Sequence, residues 1–169
     1  TDRCNPFRLE TAAVLERTKE LCPESYKPCY YLGNLYYNKQ PDRAMAEWEQ
    51  CIAKEPSFAM AWRNLGWAHW LHTKNYGEAV KYYRKAIDLA PEEALFLEEI
   101  DQVYEAKGED VQVRYDLLKS RHAVCTKRYS PLAGEVTAGI FVGDYDYVLK
   151  LLKECYFPTR EGVANFHDV

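Results

Sequence analysis

The sequence predicts an all-α solenoid of antiparallel helix pairs, three to four repeats long, and three observations carry that reading. Two segments align, KPCYYLGNLYYNKQPDRAMAEWEQCIAKEPS and MAWRNLGWAHWLHTKNYGEAVKYYRKAIDLAPEE. Ala44, Trp48, Cys51 and Pro56 recur as Ala79, Tyr83, Ala86 and Pro91, each 35 residues further on. Leu32-Gly33 recurs as Leu65-Gly66 at an offset of 33, so the turn inside the second copy is expected to be two residues longer. Self-similarity at this period marks stacked supersecondary units, each burying its apolar face against its neighbours.

Each repeated residue has a packing reason. Gly33 and Gly66 fall in the middle of helices, at a cost of about 1 kcal/mol relative to Ala, which is tolerated where a second helix must come close. Ala44 and Ala79 keep the facing helix equally thin, and Trp48 and Tyr83 fill the space beside them. Pro56 and Pro91 stop the second helix of each pair, whereas Pro28 and Pro41 suit a first turn.

The elements follow in order. A helix within 1–25, capped at Asn5-Pro6 and running to about Leu21, reads as half a repeat. Repeats follow at 26–58 and 59–93. Residues 94–127 form a more degenerate repeat, with Leu97, Ile100 and Tyr104 on one helical face, Gly108 as the stop, and Val113, Leu117 and Leu118 facing inward from the second helix. Residues 128–159 give another degenerate pair, turned at Gly143-Asp144-Tyr145 and stopped at Pro158, and 160–169 opens a further helix or forms a tail.

The order aromatic, Leu-Gly, Tyr, Ala, aromatic, Ala, Pro resembles the tetratricopeptide repeat. The second copy carries nearly all of it in Trp62, Leu65, Gly66, Ala79, Tyr83, Ala86 and Pro91. The resemblance implies a right-handed superhelix. A closer resemblance runs through the blocks NPFRLE, YYLGNLYYNK, PSFAMAWRNLGWAHW, LEEIDQVYEAKG and YFPTREG. It is to the repeat region of large, mainly bacterial proteins in which a β-rich, carbohydrate-enzyme-like region precedes the repeats. That resemblance implies a fragment of a larger protein, and a role for the repeats as an intramolecular or dimerisation module. The tail departs from the pattern, which has a Trp and more Gly near Pro158.

In such a stack the first helix of each pair lines a concave groove. The expected lining is Tyr30, Asn34 and Tyr37 from the first repeat, Arg63, Asn64, Trp67 and Trp70 from the second, and Glu98 and Gln102 from the third. Exposed Trp and Tyr are common binding anchors, and an Asn amide can donate to and accept from a peptide backbone at once. Packing of Trp67 and Trp70 on a following helix is the competing reading, as is a merely solvated acidic face for Glu98, Glu99 and Glu105. The carboxylate clamp of some tetratricopeptide domains is not expected, since Tyr30, Leu95 and Glu99 stand where its basic members would. A protein or peptide partner is the expectation, with self-association as a further one.

Other functions find little support. The net charge is −4 and no Lys/Arg run is present, which speaks against nucleic acid and against a polybasic membrane contact. No stretch is apolar for long enough to span a bilayer, and TDRCNPFRLE lacks the apolar core of a signal peptide. The six cysteines show neither Cys-x-x-Cys nor zinc-finger spacing, so reduced thiols and a cytoplasmic location are expected. His69 and His72 are spaced to share a metal, but His69 stands where the repeat has an inward aromatic and is expected to be packed. No phosphate loop, nucleophile elbow or metalloprotease motif occurs. The expectation is a scaffold with no catalytic residues, cofactor or metal.

Overall fold

A computed structural model describes residues 10–157. All regular structure among them is helical. The chain divides between Pro91 and Glu92 into two compact units.

The first unit holds α1 (Glu10–Leu21), α2 (Lys27–Tyr36), α3 (Pro41–Lys54), α4 (Ala59–Leu71) and α5 (Tyr76–Leu89), each packed on the next. Proline opens α2 and α3, as expected. Asn75 caps α5, its Oδ1 accepting the backbone N–H of Glu78. The core comprises Cys29, Leu32, Tyr36, Ala44, Trp48, Cys51, Ala61, Leu65 and Ala68, with Met45, Ile52, Phe58 and Met60 packed against it.

The two copies close on themselves in the same way. A Cβ at Gly33 would lie 2.5 Å from Trp48 Cδ1, and one at Gly66 would lie 2.8 Å from Tyr83 Cδ2. Each glycine therefore admits the aromatic ring of the paired helix. The difference in spacing is accommodated elsewhere than predicted. Both turns span four residues, 37–40 and 72–75, and the two extra residues lengthen α4 instead. Pro41 disfavours helix at the residue before it, and Gln40 lies outside the helical region at φ −139°, ψ 62°.

Helix α1 has no fully buried residue and is tied down by polar contacts. Lys19 Nζ donates to both oxygens of buried Glu47 at 2.8 and 2.9 Å. Burial works against the Lys19 charge, but the Glu47 carboxylate overrides it and raises the pKa above the usual lysine value. Glu16 accepts from Arg43 at 2.7 Å and from the Tyr36 hydroxyl at 3.2 Å, with the Arg43 guanidinium 3.9 Å from the Tyr36 ring centroid. The Asn5-Pro6 cap predicted for this helix lies outside the described residues.

The second unit holds α6 (Ala94–Lys107), α7 (Val111–Ser120), α8 (His122–Cys125), α9 (Tyr129–Val142) and α10 (Tyr145–Glu154). Helix α9 is its centre, touching α6, α7, α8 and α10. Gly108 and Gly143 end α6 and α9 in the left-handed region, φ 75° and 82°, where a side chain would be strained. The continuous second helix expected after Gly108 is broken at Arg121, and α8 is a single separate turn. Its inward residues also differ from the prediction. Tyr115 and Leu118 are buried, Leu117 is half-buried, and Val113 is exposed. Tyr115 packs close to Gly139, and Arg114 forks onto buried Asp101 at 2.8 and 3.1 Å, so these residues take the inward side and Val113 faces out.

Among the described residues no helix is long and apolar enough to cross a membrane. Cys22, Cys29, Cys51, Cys125 and Cys155 are free thiols, and Cys4 lies outside the described residues. Burial pushes the Cys51 and Cys125 thiols up to about 12. Exposed Cys22 is therefore expected to alkylate within minutes near about pH 8, while Cys51 and Cys125 react only on unfolding. Site-resolved mass spectrometry with and without denaturant checks this.

Candidate functional site

Most of the predicted groove residues of the first unit meet around one hydrogen-bonded ladder. The Trp48 indole N–H donates to Asn34 Oδ1 at 3.1 Å and lies 3.3 Å from the Tyr30 carbonyl. Asn64 Nδ2 donates to the same Asn34 oxygen at 2.9 Å, and Arg63 donates to Asn64 Oδ1 at 3.1 Å. The Asn34 oxygen thus joins α2, α3 and α4. Asn64 is only 6% exposed, so its amide is spent largely inside the protein. These bonds fix the amides that the sequence suggested for gripping a peptide backbone.

The rings lie beside the ladder. The Arg63 guanidinium sits 4.8 Å from the Trp67 ring centroid, and Trp67 meets Trp70 edge to face at 5.5 Å. Tyr37 packs on Trp48 at 5.5 Å. Burial raises the Tyr37 pKa, and the nearby Arg63 charge acts the other way. Tyr37, Arg63, Trp67 and Trp70 are each half-buried. They support one another laterally and keep part of each side chain at the surface.

Tyr30 is different. It is 3% exposed, with its ring 4.9 Å from Phe58 in an edge contact and 5.3 Å from Tyr31. Phe58 is delivered by the link between α3 and α4, a tertiary contact that helical periodicity does not reveal. The structure places Tyr30 in the core of the unit.

Glu98 and Gln102 belong to the second unit. Glu98 pairs with Arg128, and Gln102 is exposed. The acidic run is not uniformly solvated. Glu99 is buried, Glu105 is exposed with an Arg114 nitrogen at 3.6 Å, and Asp101 is held by Arg114. His69 stacks on Tyr82 at 5.1 Å between centroids, and burial lowers its pKa, while His72 turns to Asp42 at 2.9 Å.

Sequence reasoning missed one polar cluster in the second unit. Glu135, fully buried, accepts from the Tyr147 hydroxyl at 2.8 Å and lies 3.0 Å from His122 Nδ1. Lys119 sits 4.3 Å from the Tyr147 ring centroid and, with the Tyr115 hydroxyl, donates to Asp144 at 2.7 Å. The signal available was a lone acid inside the apolar run PLAGEVTAGIFV.

Helix pairs that interlock through a glycine and an aromatic ring, repeated at Gly33–Trp48 and Gly66–Tyr83, define a tetratricopeptide-type solenoid. Residues 34–94 match the tetratricopeptide repeat family. Solved structures share the fold. One crystal structure of MamA superposes with a TM-score of 0.68 at 17% identity, covering 84% of this chain and 82% of that one. YrrB, described as a TPR protein with an unusual peptide-binding site, gives a TM-score of 0.69 at 17% identity over 84% of this chain and 73% of its own. At these identities the likeness speaks to the fold.

Proposed function

We propose that this chain is a non-catalytic scaffold, and that its first unit holds a segment of a partner protein against the face formed by Tyr37, Arg63, Trp67 and Trp70. One observation carries the reading. Two tryptophans and an arginine are held half-exposed by contacts with one another, above an amide ladder that locks α2 to α4. Rigid aromatic and arginine side chains bind with little further loss of entropy, which is why they dominate interface energetics. The peptide-binding site named for YrrB supports the same use of this fold. Asn34, Asn64 and Tyr30 then act from below by fixing the helices, while the rings and Arg63 touch the ligand.

The test is a phage-displayed peptide library selected on the wild-type chain, followed by calorimetry with the synthetic form of a selected peptide. Trp67→Ala and Arg63→Ala are each expected to weaken binding about thirtyfold. A fold control comes from circular dichroism of the same variants. Failure to select any peptide, or a selected peptide indifferent to both substitutions, would sink the proposal.

A further inference from the structure

Helix α10 presents an unusual outer face. Val148 and Leu151 point into the unit, with Tyr147, Leu152 and Cys155 half-buried beside them. On an outer face Tyr145 and Leu149, four residues apart and so adjacent on the helix surface, are 61% and 52% exposed, and Tyr156, just past the end of α10, is 82% exposed. Asp146 and Lys153 border that stripe, one turn before and one turn after Leu149. Both are exposed, and neither has a hydrogen-bond or ion-pair partner among the described residues. By contrast, the neighbouring Lys150 and Glu154 lie 3.9 Å apart within the helix.

Tyr145, Leu149 and Tyr156 are left largely exposed by the described residues.

The order of the two unpaired charges selects the cover. We propose that the α10 stripe is a self-association face, occupied by α10 of a second copy of this chain running antiparallel. Two such helices related by a two-fold axis near Leu149 bring each Asp146 opposite the other copy's Lys153, so the ion pair forms twice. The two leucines and the flanking tyrosines close the centre. A parallel arrangement would set Asp146 against Asp146 and Lys153 against Lys153, which the repulsion disfavours. The stripe belongs to the second unit and the α2/α4 face to the first, so the two tests change different residues.

Sedimentation velocity of the full chain, from about 1 to 200 μM, reads the equilibrium. Wild type is expected to dimerise reversibly within this range. Asp146→Lys alone and Lys153→Asp alone each create two like-charge contacts, and each is expected to raise the dissociation constant about tenfold. Mixing the two single variants, or combining both swaps in one chain, restores two opposite-charge pairs and is expected to return the constant to within about threefold of wild type. Leu149→Glu is expected to abolish the dimer while leaving the helical spectrum intact. All these positions are exposed, so the restored pairings also control for folding. A wild-type chain that stays monomeric throughout overturns the proposal and leaves the stripe to residues beyond Phe157 or to a different protein. A dimer indifferent to the charge swaps overturns the antiparallel α10 pairing.

Discussion

Replacing Gly33 by Ala is expected to destabilise the first unit by about 2–3 kcal/mol, although Ala is the better helix former. The propensity gain in the interior of α2 is about 1 kcal/mol in favour of Ala. Against it stands a Cβ only 2.5 Å from Trp48 Cδ1 and nearer still to Nε1. Trp48 is buried, and its indole N–H is committed to Asn34 and the Tyr30 carbonyl. It can move aside only by breaking those bonds and its contact with Tyr37. Overpacking of a well-filled core costs about 1–3 kcal/mol, and a lost buried hydrogen bond adds about 1–3 more.

Gly66→Ala makes the informative comparison. Its Cβ would meet Tyr83 at 2.8, 3.0 and 3.2 Å, a shallower clash, so a cost of about 1 kcal/mol is expected. Urea denaturation followed by circular dichroism gives both values. Equal costs at the two glycines would show that the Trp48 hydrogen bonds contribute nothing beyond packing. Since Asn34 joins Trp48 to Asn64, Gly33→Ala should also weaken any ligand of the α2/α4 face, even though Gly33 itself is buried beneath it.

That coupling marks the boundary of what the sequence could reveal. The glycine–aromatic contacts, the prolines opening α2 and α3, and the stop at Gly108 were all legible, because each depends on residue size or backbone freedom at a fixed spacing. Helical periodicity also put Arg63, Trp67 and Trp70 together, since they are three or four residues apart on one helix. It could not show that Asn34 and Asn64 bond to each other, because the link crosses between helices and depends on where Trp48 lies. Tyr30 went the same way: its burial comes from Phe58, a loop residue with no periodic signature. In the second unit, apolar periodicity alone favoured Val113, whereas Tyr115 against Gly139 and the Arg114 fork onto buried Asp101 occupy the inward side of α7, and neither charged residue stands out by spacing.

Glu135 is where the second unit is expected to be most sensitive. Glu135→Leu should cost about 3–5 kcal/mol, since it removes the acceptor from beneath two donors and leaves them facing an apolar side chain. The carboxylate is fully buried in α9, with Tyr147 Oη at 2.8 Å and His122 Nδ1 at 3.0 Å, so it joins α8 and α10 to the central helix. Tyr147→Phe alone removes one donor from a carboxylate that keeps His122, and about 1–2 kcal/mol is expected. In the double variant the stranded hydroxyl is gone, so its cost should fall below the sum of the two by about 1 kcal/mol or more, the signature of a direct contact. Simple additivity in that cycle would mean that the hydrogen bond contributes no coupling. The same contact predicts a pH dependence. Burial, reinforced by the hydrogen bond to Glu135, raises the Tyr147 pKa above that of an ordinary phenol. Above about pH 10 the unfolded chain therefore gives up this proton while the folded one keeps it, and stability falls as pH rises. Tyr147→Phe should flatten that decline, and a slope unchanged by the substitution would assign the alkaline loss to other groups.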